Sequence, residues 1–367
     1  MTSLEIDQRF MRVALGLARS GLGQVWPNPS VGCVLVKDGQ IIAEGRTQVG
    51  GRPHAEVVAL QGAGDAAKGA TAYVTLEPCT HHGKSPPCCD ALIAAGVSRV
   101  VYAVDDVDPR VAGKAATILE RAGIKVTSGV LNAEARAQNA GFFKMVQEGL
   151  PLVTLKLAMS LDGRIATATG ESKWITGPDA RRHVHRNRAE HDAVMVGGGT
   201  ARHDDPSLTA RDVGAVSQPA RVVVSAQLDL PLSGKLAATA KDIPLFIVHA
   251  VSAPKEITRA WEGVGARLLP VSCGRDLRLS PREVLSALAE QGLTRVYCEG
   301  GGQLAASLLE AGLVDELHVY TAGITIGTDG LAGVGLMNLA KLADTPSFEL
   351  VTARPLGKDL FQHWRKS

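Results

Sequence analysis

Aromatic residues are scarce, with Phe, Trp and Tyr making up 4% of the 367 residues. That argues against a base-stacking surface for single-stranded nucleic acid. An excess of one charge is missing too: 39 Lys and Arg face 37 Asp and Glu, a formal net charge of +2. No electrostatic footprint for a polyanion follows from that balance. Cysteines number six, two of them adjacent and others, such as Cys33 and Cys298, inside apolar runs. They read as core residues or ligands, not as a disulfide framework. Acidic residues come early and no apolar leader segment follows the first Met, so no secretory signal is expected. No apolar run approaches a membrane span. The expectation is a cytoplasmic protein with neither nucleic-acid nor membrane partners, in a compartment where thiolates stay reduced. The length is that of two domains.

One stretch carries chemistry. His54-Ala55-Glu56, Pro78-Cys79 and Pro86-Pro87-Cys88-Cys89 supply an imidazole, thiols and one carboxylate. A histidine and two thiolates leave a tetrahedral zinc with one open position for water. Zinc lowers that water's pKa to about 7, and a glutamate two residues beyond the histidine is placed to relay its proton. Zinc-dependent nucleobase deaminases carry H-x-E followed by P-C-x-x-C. This chain departs from that pattern by placing eight residues, Thr80 to Pro87, between Cys79 and Cys88. Two alternatives stay open: a closed structural site with His81 or His82 as fourth ligand, and Cys89 in place of Cys88.

Periodicity predicts an α/β first domain. Helices are expected at Leu4–Ala18, His54–Leu60, Cys88–Ala95, Ala115–Ala122 and Asn132–Gln147, and strands at Val31–Val36, Gln40–Gly45, Ala72–Leu76, Arg99–Val104 and Lys125–Val130. Both halves of the motif then open helices, whose dipoles favour thiolate over thiol. Asn28, between two prolines, is either a turn residue or a hydrogen-bonding partner for a substrate ring. A short junction at Gly149-Leu150-Pro151 suggests domains at 1–149 and 150–367 that pack instead of swinging. Beyond it, Gly197-Gly198-Gly199-Thr200 and Glu299-Gly300-Gly301-Gly302 each follow a predicted strand. They are either phosphate cradles or tight strand-to-helix turns. As a dinucleotide fingerprint, Gly300, Gly302 and Ala305 fit poorly, because no acidic residue falls near the end of the next strand.

Asn28-Pro29-Ser30-Val31-Gly32-Cys33, His54-Ala55-Glu56 and the run from Thr75 to Cys88 resemble the deaminases of the riboflavin pathway, where a long gap between the cysteines is usual. Leu157-Ala158-Met159-Ser160-Leu161-Asp162-Gly163-Arg164, Trp174-Ile175-Thr176, Asp204-Asp205-Pro206-Ser207-Leu208-Thr209 and Glu299-Gly300-Gly301 resemble the reductases of the same pathway. The resemblance implies a cytidine-deaminase-like zinc domain followed by a dihydrofolate-reductase-like domain that uses NADPH. It implies zinc held by His54, Cys79 and Cys88, with Glu56 as catalytic proton shuttle. It implies cofactor contacts from Ala158, Trp174, Thr200, Asp204 and the segment Gly301, Gly302, Gln303, Leu304, Ala305, Ala306 and Ser307. Substrate contacts would come from Ser172, Arg188, Leu208, Arg211 and Glu299, the two arginines suiting a ribose phosphate. The implied substrates are small pyrimidine ribosyl phosphates, and a homo-oligomer is expected. The chain departs from relatives at Ser225-Ala226-Gln227, where they carry an Asp-Ser pair. Two rivals remain: a nucleoside or tRNA deaminase with an accessory domain, and a zinc-stapled module without chemistry.

Overall fold

The computed structural model describes residues 2–83, 86–214, 217–274 and 278–367; Lys84 and Ser85 of the cysteine run lie outside them. The chain divides into two compact units, Met1–Gly149 and Leu150–Ser367.

The first unit holds strands β1 (Gly32–Lys37), β2 (Gln40–Arg46), β3 (Thr71–Val74), β4 (Arg99–Tyr102) and β5 (Lys125–Ser128). Their order is β2-β1-β3-β4-β5, antiparallel at the β2-β1-β3 end and parallel from β3 to β5. Around them run α1 (Ser3–Arg19), α2 (Ala55–Ala63), α3 (Cys88–Ala94), α4 (Ala115–Arg121), α5 (Asn132–Gln138) and α6 (Ala140–Glu148). Thr2 and Glu5 cap α1 reciprocally, and its apolar face, Phe10, Met11 and Ala14, enters a core built on Val34, Leu35, Val74 and Val101. Close packing rests on two glycines: a Cβ on Gly32 would collide with the Ala14 carbonyl, and one on Gly45 with the Ala55 carbonyl.

The helix expected over 132–147 is two helices. Asn139 interrupts it, buried at 3% exposure, accepting from the Ser30 amide (3.0 Å) and donating to the Ser30 carbonyl (3.1 Å). A side chain that serves another segment's backbone competes with the helix it sits in.

The second unit contains a nine-stranded sheet of order β11-β10-β9-β8-β12-β6-β13-β16-β15. These are β6 (Leu152–Ser160), β8 (Ala193–Gly197), β9 (Ala220–Val224), β10 (Leu245–Ala250), β11 (Arg267–Val271), β12 (Arg295–Gly300), β13 (Glu316–Ala322), β15 (Phe348–Leu356) and β16 (Asp359–Lys366). β7 (Arg164–Ala166) pairs separately with β14 (Leu331–Ala332). The sheet is parallel from β11 through β13. It ends in the antiparallel pairs β13·β16 and β16·β15. Helices α7 (Pro178–Ala189), α8 (Gly198–Asp204), α9 (Lys235–Ala238), α10 (Lys255–Gly263), α11 (Pro281–Glu290) and α12 (Gly302–Glu310) complete it. Strands such as β10, buried at every residue, are the apolar runs that a sheet covered on both faces demands. No helix among the described residues is long and apolar enough to cross a membrane.

One buried network tests the first unit. Asp7, 3% exposed, accepts two bonds from Arg99 (2.8 and 2.7 Å) and one from the Tyr73 hydroxyl (2.9 Å). Asp7→Ala strands a half-buried guanidinium, so urea unfolding of the intact chain should show a loss of about 3 kcal/mol. A loss below about 0.5 kcal/mol, the level of a surface substitution, would show that solvent already screens the network.

Candidate active sites

Each donor of the first site comes from the start of a helix or the end of a strand. His54 is the N-cap of α2, and Glu56 lies in that helix's first turn. Cys79 follows β3, and Cys88 is the first residue of α3. His54, Cys79 and Cys88 bring their donor atoms within 4.8 Å of one another. His54 Nδ1 lies 3.3 Å from Cys88 Sγ and 3.6 Å from Cys79 Sγ. With Zn–S near 2.3 Å and Zn–N near 2.05 Å, the N···S edge of a tetrahedron is about 3.6 Å. The donor set therefore fits zinc.

The electrostatics agree with that chemistry. Cys79 is pulled down to about 4, first by the bond from the Cys88 thiol and then by His54, and the Cys88 amide adds a further bond at 3.2 Å. Cys88 is pushed up, chiefly because its thiol donates to Cys79 and is buried. Glu56, 4% exposed, is raised to about 7 by burial and by the neighbouring Cys79 charge. A carboxyl near 7 is suited to taking and returning a proton at neutral pH. Neither His81 nor His82 joins the donor cluster, and three protein ligands are the count of a catalytic zinc, not a structural one. Cys89 points elsewhere, its thiol directed to the Pro78 carbonyl at 3.6 Å. Asn28 packs against Gly51, where a Cβ would collide with its side chain, placing it beside the turn that leads into His54.

Sequence reading assigned Glu77 no role. It is 2% exposed and accepts from the amides of Asp106 (3.1 Å), Gly113 (3.0 Å) and Ala115 (2.9 Å). Glu77, two residues upstream of Cys79, thereby clamps the 105–114 loop.

The second site is a cavity of about 720 Å³ at the carboxyl ends of β6, β8 and β12, where open α/β sheets bind ligands. Gly300, Gly301 and Gly302 of the second glycine cluster line it, but of the first only Thr200 does; Gly301, at φ +24°, would place a Cβ 3.1 Å from Thr200 Oγ1. Ala158, Ser172, Trp174, Arg188, Thr200, Asp204, Leu208, Arg211, Glu299, Gly301 and Gly302 all line the cavity. Gln303, Leu304, Ala305, Ala306 and Ser307 do not: α12 starts at Gly302 and carries them away, with Ala305 and Ala306 buried in packing. Ser225, Ala226 and Gln227 also lie outside the lining; Ser225 instead donates to Asp229 at 2.9 Å.

Within the lining, Arg188 and Glu299 form a two-pronged ion pair at 2.5 and 2.9 Å. A third guanidinium nitrogen of Arg188 donates to the Thr209 carbonyl at 2.8 Å. The expectation of a cation ready for phosphate fits Arg211 better, since it is exposed while Arg188 is committed within the protein. Burial opposes ionisation of Glu299, but Arg188 and then Lys156 hold it down to about 2. Lys156, 4.0 Å from Glu299, lines the cavity and was missed in the sequence, where it is one charge in an apolar strand. Burial lowers its pKa.

The first unit matches the family described as the cytidine and deoxycytidylate deaminase zinc-binding region, over residues 4–104, and the second the RibD C-terminal domain, over 151–361. Fold and sites thus define a zinc-dependent deaminase domain followed by a reductase domain. The riboflavin biosynthesis protein RibD of Escherichia coli is 44% identical over 97% of this chain and 98% of its own length. The structure of Acinetobacter baumannii RibD superposes with a TM-score of 0.87 at 37% identity, covering 100% of both chains. A Thermotoga maritima diaminohydroxyphosphoribosylaminopyrimidine deaminase/5-amino-6-(5-phosphoribosylamino)uracil reductase gives 0.87 at 32%, again covering 100% of both. This chain belongs to the RibD family, the bifunctional deaminase/reductases of riboflavin biosynthesis.

Two outcomes test these sites. Cys88→Ser should lose zinc and deaminase activity, whereas Cys89→Ala keeps both; equal zinc content in the two proteins would overturn the ligand assignment. Arg188→Met leaves Glu299 buried beside Lys156 alone, so its pKa rises from about 2. A group depressed in this way is ionised, and contributes stability, at neutral pH, and loses that contribution as pH falls toward 2. In the variant the loss comes at higher pH: reductase kcat/KM should fall on an acid limb that the parent lacks. Superimposable pH profiles would exclude the pair as the source of the carboxylate's charge.

Proposed function

We propose that residues 1–149 deaminate diaminohydroxyphosphoribosylaminopyrimidine and that residues 150–367 reduce the product, 5-amino-6-(5-phosphoribosylamino)uracil, with NADPH. The observation that carries this reading is the pairing, in one chain, of an open three-donor cluster beside a buried glutamate with a glycine-rimmed cavity around Arg188 and Glu299. The named activities of the Thermotoga maritima relative support it.

In the first step His54, Cys79 and Cys88 hold zinc, which when bound supplies Lewis acidity and a water of lowered pKa. Glu56 takes a proton at its carboxylate and returns it to the leaving amine, so that water and the amine-bearing ring carbon become carbonyl and ammonia. Burial of Glu56 keeps bulk water from competing for that proton. Glu77 holds the adjoining loop in place.

The second step needs a hydride, which NADPH supplies when bound, and a proton. Thr200, Asp204, Gly301 and Gly302 rim the cavity as the cofactor's contacts, with Ala158 and Trp174. Gln303 to Ser307 support that rim from behind. Ser172, Leu208, Arg211 and Glu299 hold the pyrimidine and its ribose phosphate, and Arg188 fixes the charge and direction of Glu299. Ring opening passes the N–H proton to the ring oxygen; the hydride then goes to C1′ of the opened imine form, and the imine nitrogen takes the proton as its double bond becomes single. Lys156 is the candidate donor, since burial makes its ammonium readier to give a proton up. The reducing cytoplasm suits Cys79 and Cys88. Assembly as a homo-oligomer is supported by exposed apolar residues such as Leu350 (52%) and Val351 (48%) on β15.

Glu56→Gln separates the steps. It should retain zinc, lose deamination by about 10²–10⁴-fold, and still oxidise NADPH when given the deaminated pyrimidine. Loss of zinc with loss of deamination would make Glu56 a ligand or a structural group instead of a proton shuttle.

A further inference from the structure

The reductase unit holds a second cluster of metal-type donors. Glu316, His318 and His363 bring ligand atoms within 4.8 Å of one another. β13 and β16 run antiparallel with His318 directly opposite His363. Glu316 lies two residues before His318, so the three side chains share one face of the sheet.

One of these groups is short of a partner. His318 is 7% exposed, and its Nδ1 has no hydrogen bond, whereas the buried Nε2 of His363 faces Glu316 at ion-pair distance. Buried polar nitrogens left unmade cost stability and call for a reason. Glu316 Oε1 lies 3.6 Å from His363 Nε2. With ligands at 2.0–2.1 Å, the edge of a tetrahedral site is about 3.4 Å. The other oxygen of Glu316 accepts from Thr154 Oγ1 at 3.3 Å, and that hydroxyl is bonded to His191 Nε2 at 3.0 Å. Such outer partners orient a ligating carboxylate. Two cations already bear on Glu316: Arg365, 52% exposed, at 3.7 Å, and the Arg295 charge, which helps hold that carboxylate ionised.

We propose that Glu316, His318 and His363 form a second divalent transition-metal site, of the zinc class, that pins β16 to β13. Two imidazoles and a carboxylate suit such ions. This goes beyond the deaminase zinc and shares no residue with either active site. The competing explanation is that the two rings, 4.9 Å apart and edge-on, simply pack.

Cobalt distinguishes them. The full chain carrying Cys79→Ser and Cys88→Ser has no thiolate at the deaminase site. Stripped of metal and given Co²⁺, it should retain one equivalent, with ligand-field bands and no sulfur-to-cobalt charge-transfer band. Excess Co²⁺ should also raise its melting temperature. Adding His363→Gln should abolish both effects. Glu316→Gln, which conserves shape, should do the same, so a misfolded histidine variant does not decide the matter. No retained cobalt in the parent, or cobalt retained equally after Glu316→Gln and His363→Gln, overturns the site.

Discussion

Everything in the first unit answers to one constraint: three donors from separate segments must meet within the edge lengths of a tetrahedron. His54 and Cys88 are 34 residues apart in the chain, and their contact atoms are 3.3 Å apart in space. That tolerance is smaller than the displacement one extra methyl group would force. Gly45 is therefore part of the site although it touches no donor. A side chain there would strike the carbonyl of Ala55, lift the first turn of α2 from β2, and carry His54 and Glu56 with it. The Cys88 amide, donating to Cys79 at 3.2 Å, ties the third segment to the second.

The second unit meets a different constraint, that of keeping a carboxylate charged out of water. Burying an ion alone is prohibitive, whereas a paired and hydrogen-bonded one is tolerated. Arg188 provides a two-pronged bond to Glu299 and braces itself on Thr209. Lys156 stands at 4.0 Å on the other side. α7, β6 and β12 each deliver one of the three charges, so the parallel sheet and the helix on its face are what make the pair possible.

What was legible in the sequence was local. His54-Ala55-Glu56, Pro78-Cys79 and the glycine clusters announce themselves because turn chemistry and ligand chemistry are written within a few residues. Interactions over long chain distances were not. Arg188 and Glu299 are 111 residues apart, so the arginine read as a free cation for phosphate. Asn139 read as an ordinary helical residue because its partner, Ser30, is 109 positions away. Lys156 drew no reading from the sequence, because its partner Glu299 reaches it only through the neighbouring strand β12. The β15–β16 hairpin escaped for another reason: β15 is exposed along most of its length, leaving no alternation of apolar and polar residues for periodicity to detect.

The two glutamates at the centres of the sites show how one residue type takes opposite roles. Both are buried, and burial raises the pKa of each. Glu56 then meets a thiolate, a second negative charge, and is held at about 7. Glu299 meets two cations and is held at about 2. A group poised at 7 can take up and release a proton near neutral pH. A group fixed at 2 does not exchange protons at working pH. The sign of the nearest charge, more than the degree of burial, is what sets the two carboxyls apart.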